Sequence, residues 1–211
     1  MWVAYLNLEN SFADDPVQSV AALLKRAVQQ NDAKKMYLAA IDIFQRSQRK
    51  ELLDTCAKTV RKKFRESCKV WLRLVKLALG DSSPIGSLLE QATQALPKRK
   101  HVKFLSRAAL LEFKEGSPDR GRSVFENILQ TYPKRTDVWG MYIDQEIKQG
   151  KIERVRNLFE RSINLNLNAK RMRYFFKRYL TFEEEHGTPE KVEYVKRSAM
   201  EFIQGHTGNV A

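Results

Sequence analysis

The spacing of three tryptophans constrains this chain more than any other feature. Trp2, Trp71 and Trp139 stand 69 and 68 residues apart, two steps of about 34 each time. The first and last open the same pattern, Trp2-x-x-Tyr5-x-x-x-Glu9 and Trp139-x-x-Tyr142-x-x-x-Glu146. Weaker copies stand at Leu105, Ala108 and Glu112, and at Phe176, Tyr179 and Glu183. Trp71, Leu74 and Ala78 keep the apolar positions without the acid, and Tyr37, Ala40 and Phe44 fit more loosely. Offsets of three and seven place such residues on one face of a helix. A second pattern follows in Leu24-Lys25-Arg26-Ala27, Leu89-Glu90-Gln91-Ala92, Phe125-Glu126-Asn127-Ile128 and Phe159-Glu160-Arg161-Ser162, with Cys56 in the equivalent place of the second copy. A period in this range marks architectures in which each unit buries its apolar face only against its neighbours.

The pattern predicts an all-α chain of helical hairpins, helix A then helix B, stacked as an α-solenoid. Six repeats are expected, at about 1–32, 33–66, 67–97, 98–133, 134–169 and 170–204, followed by a disordered tail over 205–211. With 9 Gly and 6 Pro in 211 residues, the chain is too poor in turn formers for a loop-rich β fold. Asp15-Pro16, Ser83-Pro84, Ser117-Pro118 and Thr188-Pro189 each join a capping side chain to a proline suited to the first helical position. Capping explains these pairs without invoking phosphorylation. Gly80, Gly116, Gly150 and Gly187 precede helix B and are expected to end helix A in the left-handed conformation. Met1 stands almost on the first tryptophan with no cap before it, so the first helix is expected to extend upstream.

The helix A pattern Trp…Tyr…Glu and the helix B stretch Phe159-Glu160-Arg161-Ser162 resemble the half-a-TPR (HAT) repeat of RNA-processing proteins. A plain tetratricopeptide repeat would place Gly within helix A and pairs of Ala, and neither is found. The run from Thr131 to Glu185, the opening WVAYLNLEN and the segment FLSRAALLEFKEG resemble the C-terminal HAT domain of the ribosomal RNA processing protein five family. That resemblance implies a nucleolar factor of pre-ribosomal RNA processing, with pre-ribosomal assembly factors as partners and pre-rRNA as a further one. In that family an array of oligonucleotide-binding barrels precedes the HAT units, and no such array stands in this chain.

Catalytic and cofactor signatures are missing. His101, His186 and His206 lie far apart and share no metal-ligand spacing with each other or with Cys56 and Cys68. The two cysteines do not make a disulfide framework and read as small packing residues of a reducing compartment. No Gly-rich phosphate loop is present. Glu9, Glu112 and Glu146 recur with the repeat, as packing or capping groups would, whereas a catalytic acid would appear once. No enzyme activity, cofactor, metal or small-molecule substrate is expected. No apolar run approaches the roughly 20 residues that span a bilayer, and no signal segment opens the chain, so a soluble intracellular protein without membrane contact is expected.

Charge supplies the functional expectation. The net charge is +13, and residues 97–180 contribute +11 of it, with 20 Lys and Arg against 9 Asp and Glu. Such an excess favours anionic partners. Lys98-Arg99, Lys134-Arg135 and Lys170-Arg171 recur at intervals of 36, each expected in the turn from a helix B to the next helix A. Stacked repeats would align them as a basic ladder, thickened by Lys100, Arg173, Lys177 and Arg178 and extended by Arg61-Lys62-Lys63. The ladder would hold RNA phosphates or an acidic protein segment, or else be a solvated edge whose cations favour the negative end of helix B. The aromatics of helix A are expected to be core, with no surplus outside that stripe. Single-strand binders offer stacking platforms, so a protein-docking scaffold is the favoured expectation and a direct RNA-binding module of another HAT complex, in mRNA 3′-end processing or splicing, the alternative.

Overall fold

The computed structural model describes residues 1–80, 85–165 and 167–207. Among them are twelve α-helices and no strand: α1 (Trp2–Phe12), α2 (Pro16–Gln30), α3 (Ala33–Arg46), α4 (Lys50–Lys63), α5 (Cys68–Gly80), α6 (Ile85–Ala95), α7 (His101–Glu115), α8 (Pro118–Thr131), α9 (Thr136–Lys148), α10 (Ile152–Ile163), α11 (Ala169–His186) and α12 (Pro189–Thr207). The odd-numbered helices are the A helices and the even-numbered the B helices. This is the α-solenoid class. No described helix is long and apolar enough to cross a membrane.

Local chemistry sets the helix starts. Asp15 Oδ1 accepts from the backbone N–H of Val17 and Gln18, each at 3.1 Å, and Pro16 follows it. Asp32 Oδ1 accepts from Lys35 N at 3.1 Å, and Asn168 Oδ1 from Arg171 N at 3.0 Å. Each supplies an acceptor that the first helical turn cannot find within itself. Pro118 and Pro189 open α8 and α12. The cap expected at Ser83-Pro84, and the expected tail from residue 208, lie outside the described residues. The tail's first three residues, 205–207, belong to α12.

The chain forms two compact units, one ending at Ser117 and one beginning at Pro118. In the first, α1 to α7 pack around Phe44, Ile41, Trp71, Val75 and Phe104, all buried. In the second, each of α9 to α12 packs on the helix before it. Phe125 stacks on Tyr142 with ring centroids 5.1 Å apart, and Phe159 on Tyr179 at 4.8 Å. Helix B of one repeat thus meets helix A of the next through the two aromatics that define the patterns. The indoles tie helix A to its incoming turn: Trp71 Nε1 donates to Arg65 O at 2.6 Å and Trp139 Nε1 to Pro133 O at 2.8 Å.

Two expectations need correction. In α1 the buried face holds Leu6 and Asn10, while Tyr5 is 46% exposed and Trp2 and Glu9 are half-buried. In the fifth and sixth repeats the preceding helix B covers these positions, with Phe125 and Arg122 at Tyr142 and Glu146, and Phe159 and Arg156 at Tyr179 and Glu183. Of Gly116, Gly150 and Gly187, Gly150 alone is left-handed, with φ +66°. Gly116 and Gly187 close their helices at negative φ. They are glycine because a Cβ would collide with Oε2 of Glu112 and of Glu183, the buried helix A acids of the same repeats.

Candidate interaction surface

Many of the cations are structural. Arg122 on α8 grips the buried Glu146 on α9 through Nε to Oε1 at 2.7 Å and Nη2 to Oε2 at 3.0 Å. One repeat on, Arg156 on α10 grips the buried Glu183 on α11 through the same atoms at 2.9 and 3.0 Å. Hydrogen bonds to those carboxylates push both guanidinium pKa values up. In the fourth repeat Glu112 is likewise buried, and its Oε2 accepts from Ser117 N at 3.0 Å. These acids are packing and capping groups. The two arginines were not singled out from the sequence, although it carries a signal: Arg122-Ser-Val-Phe125-Glu126 and Arg156-Asn-Leu-Phe159-Glu160 place Arg three residues before the helix B phenylalanine.

Further pairs join helices of like kind. Arg161 on α10 makes a two-pronged pair with Glu126 on α8 at 2.9 and 2.8 Å, which holds the Glu126 carboxyl below the usual carboxylate range. Arg73 on α5 reaches Asp42 on α3 at 2.9 Å, and Lys76 reaches Glu115 on α7 at 3.0 Å. Arg178 on α11 reaches Asp144 on α9. Two-pronged Arg–carboxylate geometry adds direction as well as attraction, so the Arg73–Asp42 and Arg161–Glu126 pairs set repeat register.

The ladder residues fall into two groups. Lys100, Arg135 and Arg178 are engaged. Lys100 Nζ donates to Glu66 O at 2.7 Å, Arg135 pairs with Asp137 at 2.8 and 2.7 Å, and Arg178 meets Asp144, Tyr174 Oη at 3.0 Å and Gly140 O at 3.5 Å. Lys98, Arg99, Lys134, Lys170, Arg171, Arg173 and Lys177 are exposed. Lys98 and Arg99 sit in a single 3-10 turn, Lys98–Lys100, before α7 in the first unit. Lys134 lies in the turn before α9, in the second unit, as do the residues of α11. Arg61, Lys62 and Lys63 occupy the last turn of α4, where cations offset the negative helix end.

Lys170 and Arg171 depart from expectation, because they are not in a turn. Asn168 caps α11, Ala169 is its first residue, and the two cations follow in its first turn. There they face the positive end of the helix dipole, while Glu184 and Glu185 stand exposed near its negative end. α11 is charged against its own dipole, so favouring a helix end does not explain these cations. The aromatic expectation is corrected too. Tyr132 is 41% and Tyr174 43% exposed, and both stand among the exposed cations of the second unit. Neither belongs to the packing stripe, and periodicity alone could not separate them from core.

Comparison with known proteins places this arrangement. A family model described as the C-terminal HAT repeat of pre-mRNA-splicing factor Syf1/CRNKL1 matches residues 124–208. rRNA biogenesis protein RRP5 of Arabidopsis thaliana is 46% identical over 203 residues, 96% of this chain. Protein RRP5 homolog of Mus musculus is 41% identical over 97% of the chain, and rRNA biogenesis protein rrp5 of Schizosaccharomyces pombe is 36% identical over 99%. The chain spans only 11–12% of the length of these relatives. Residues 124–208 thus match a HAT-repeat family, and the relatives that the chain resembles along nearly its own whole length are RRP5 proteins of rRNA biogenesis.

Proposed function

We propose that this chain is a non-catalytic binding module of a ribosome biogenesis factor, acting in pre-rRNA processing in the nucleolus by holding assembly-factor protein and pre-rRNA in place. The observation that carries the reading is the similarity to RRP5 proteins at 36–46% identity across 96–99% of the chain. The disposition of charge supports it. The recurrent acids Glu112, Glu146 and Glu183 are buried in structural roles, while exposed cations gather at the entries to the A helices of the second unit. Basic surface of this kind draws anionic partners. The ladder residues Lys98, Arg99, Lys134, Arg135, Lys170, Arg171, Arg173 and Lys177 are the proposed contact groups, with Lys100 and Arg178 holding the frame around them.

A second reading, a module of a splicing complex, draws on the family model, whose description is a splicing factor. Both are tested by expressing the chain as a tagged fragment and fractionating nuclear extract on a density gradient. Co-sedimentation with particles containing pre-rRNA supports the first. Sedimentation with small nuclear RNA and without pre-rRNA supports the second and rejects the first.

A further inference from the structure

We infer that the N-terminal half of α11 is a single-stranded RNA site, in which Tyr174 stacks on a base and Lys170, Arg173 and Lys177 neutralise the flanking phosphates. The site deepens the binding-module reading and rests on it for the choice of RNA as the anion.

Residues 170, 173, 174 and 177 follow the spacing i, i+3, i+4, i+7, which puts them on one helix face. All four are exposed. The cations stand about 5 Å apart along the axis, roughly one turn each, so they reach successive phosphates of one extended strand. Like charges at these offsets repel, and α11 has no acid in its first turn to relieve them. On the neighbouring α9, Asp144 is taken by Arg178 and Glu146 by Arg122. A cluster that works against both its helix dipole and its neighbours is accounted for by an anion from outside.

The ring says which anion. An acidic peptide needs cations alone, whereas a nucleic acid strand also offers flat faces to an aromatic side chain. Tyr174 is held ready for this. Its hydroxyl takes a hydrogen bond from Arg178 Nη1 at 3.0 Å, that guanidinium lies 5.6 Å from the ring centroid, and Phe175 meets the ring at 5.3 Å and 66°. α9 keeps Gly140 opposite, since a Cβ there would stand 2.8 Å from the Tyr174 oxygen. With 43% of the residue exposed after these contacts, the ring is fixed yet accessible, and a base landing on it immobilises little that is not already still. Side by side, the exposed ring and the three cations combine the two features of sequence-tolerant single-strand recognition: a surface that tracks the backbone and a platform for bases.

The test uses the purified 211-residue chain and a labelled single-stranded ribo-oligonucleotide of mixed sequence, followed by fluorescence anisotropy. Tyr174→Leu should weaken binding about tenfold, in the range of one lost stacked base. Tyr174→Phe keeps the ring and should stay close to wild type. The triple change Lys170→Gln, Arg173→Gln, Lys177→Gln should flatten the dependence of log K on log salt by about 2, at about 0.7 per single-strand phosphate contact. Wild type should prefer the single strand to a duplex of the same sequence. Three results would overturn the proposal: Tyr174→Leu binding as tightly as wild type with an unchanged helical spectrum, Tyr174→Phe losing as much as Tyr174→Leu, or no measurable binding of the single strand. Binding of poly-glutamate instead, lost in the triple variant, would make the face an acidic-protein site and reject the RNA assignment. Failure in this bare system is separable from failure of the module reading, which rests on sedimentation with pre-ribosomal particles.

Discussion

Trp139 shows how a single residue serves two joints. Its indole N–H closes the turn that enters α9, and the Arg161 guanidinium lies 5.2 Å from its ring. Removing so large a buried side chain leaves a cavity as well as an unmet carbonyl. Trp139→Ala should therefore lower stability by about 3–5 kcal/mol, read as a shift in the denaturant midpoint; an unchanged midpoint would contradict the packing described. The stacked tyrosines set the alkaline limit. Burial is the first cause that pushes the phenols of Tyr142 and Tyr179 well above their ordinary value, aided by nearby carboxylates. A raised folded-state pKa gives stability that is complete below the unfolded value, about 10, and is lost as pH climbs above it. Melting temperature should fall from about pH 10 upward, and the double change Tyr142→Phe, Tyr179→Phe should flatten that limb. The core tyrosines and recurrent acids were legible from spacing because the repeat prints them at a fixed interval. Arg122 and Arg156 were not, because their partners lie 24 and 27 residues away across a repeat boundary. Tyr174 escaped because exposure depends on what packs against a helix, and no single helix's sequence states that.

At the scale of the element, helices A and B were readable from caps and periodicity, while α11 shows what such reading omits. Charge order along a helix is visible in sequence, but its meaning needs the start of the helix, and Asn168 moves that start ahead of Lys170 and Arg171. Reversing both to Glu should raise stability by about 0.3–1 kcal/mol each, because acids suit the positive end. Thermal melting at low salt checks this, and a fall in melting temperature would mean that the two cations hold the fold. The joint between α10 and α11 should respond oppositely. Arg156→Met leaves the Glu183 carboxylate buried without its guanidinium, a change that costs about 3–5 kcal/mol when a buried pair is broken from one side. Equilibrium denaturation should show that loss, whereas the outer partner of the same arginine, Glu153, is largely exposed and Glu153→Ala should stay within about 0.5 kcal/mol.

For the whole molecule, the repeat explains why stability and binding can be varied separately. The helices of the second unit are held by buried aromatics and by arginines turned inward onto buried carboxylates, while a distinct set of cations stays exposed on helix entries. This second set is expected to bind pre-ribosomal components and to contribute little to folding. That binding is tested most directly by reversing Lys98, Arg99, Lys134, Arg135, Lys170 and Arg171 to Glu and comparing capture from nucleolar extract by this variant and by wild type, with and without nuclease. Arg135 belongs in the set although Asp137 occupies it, since that pair is itself half-exposed. The variant should keep an intact helical spectrum and lose both pre-rRNA and assembly-factor proteins from the captured material. A variant that folds and still captures both as wild type does would contradict that role.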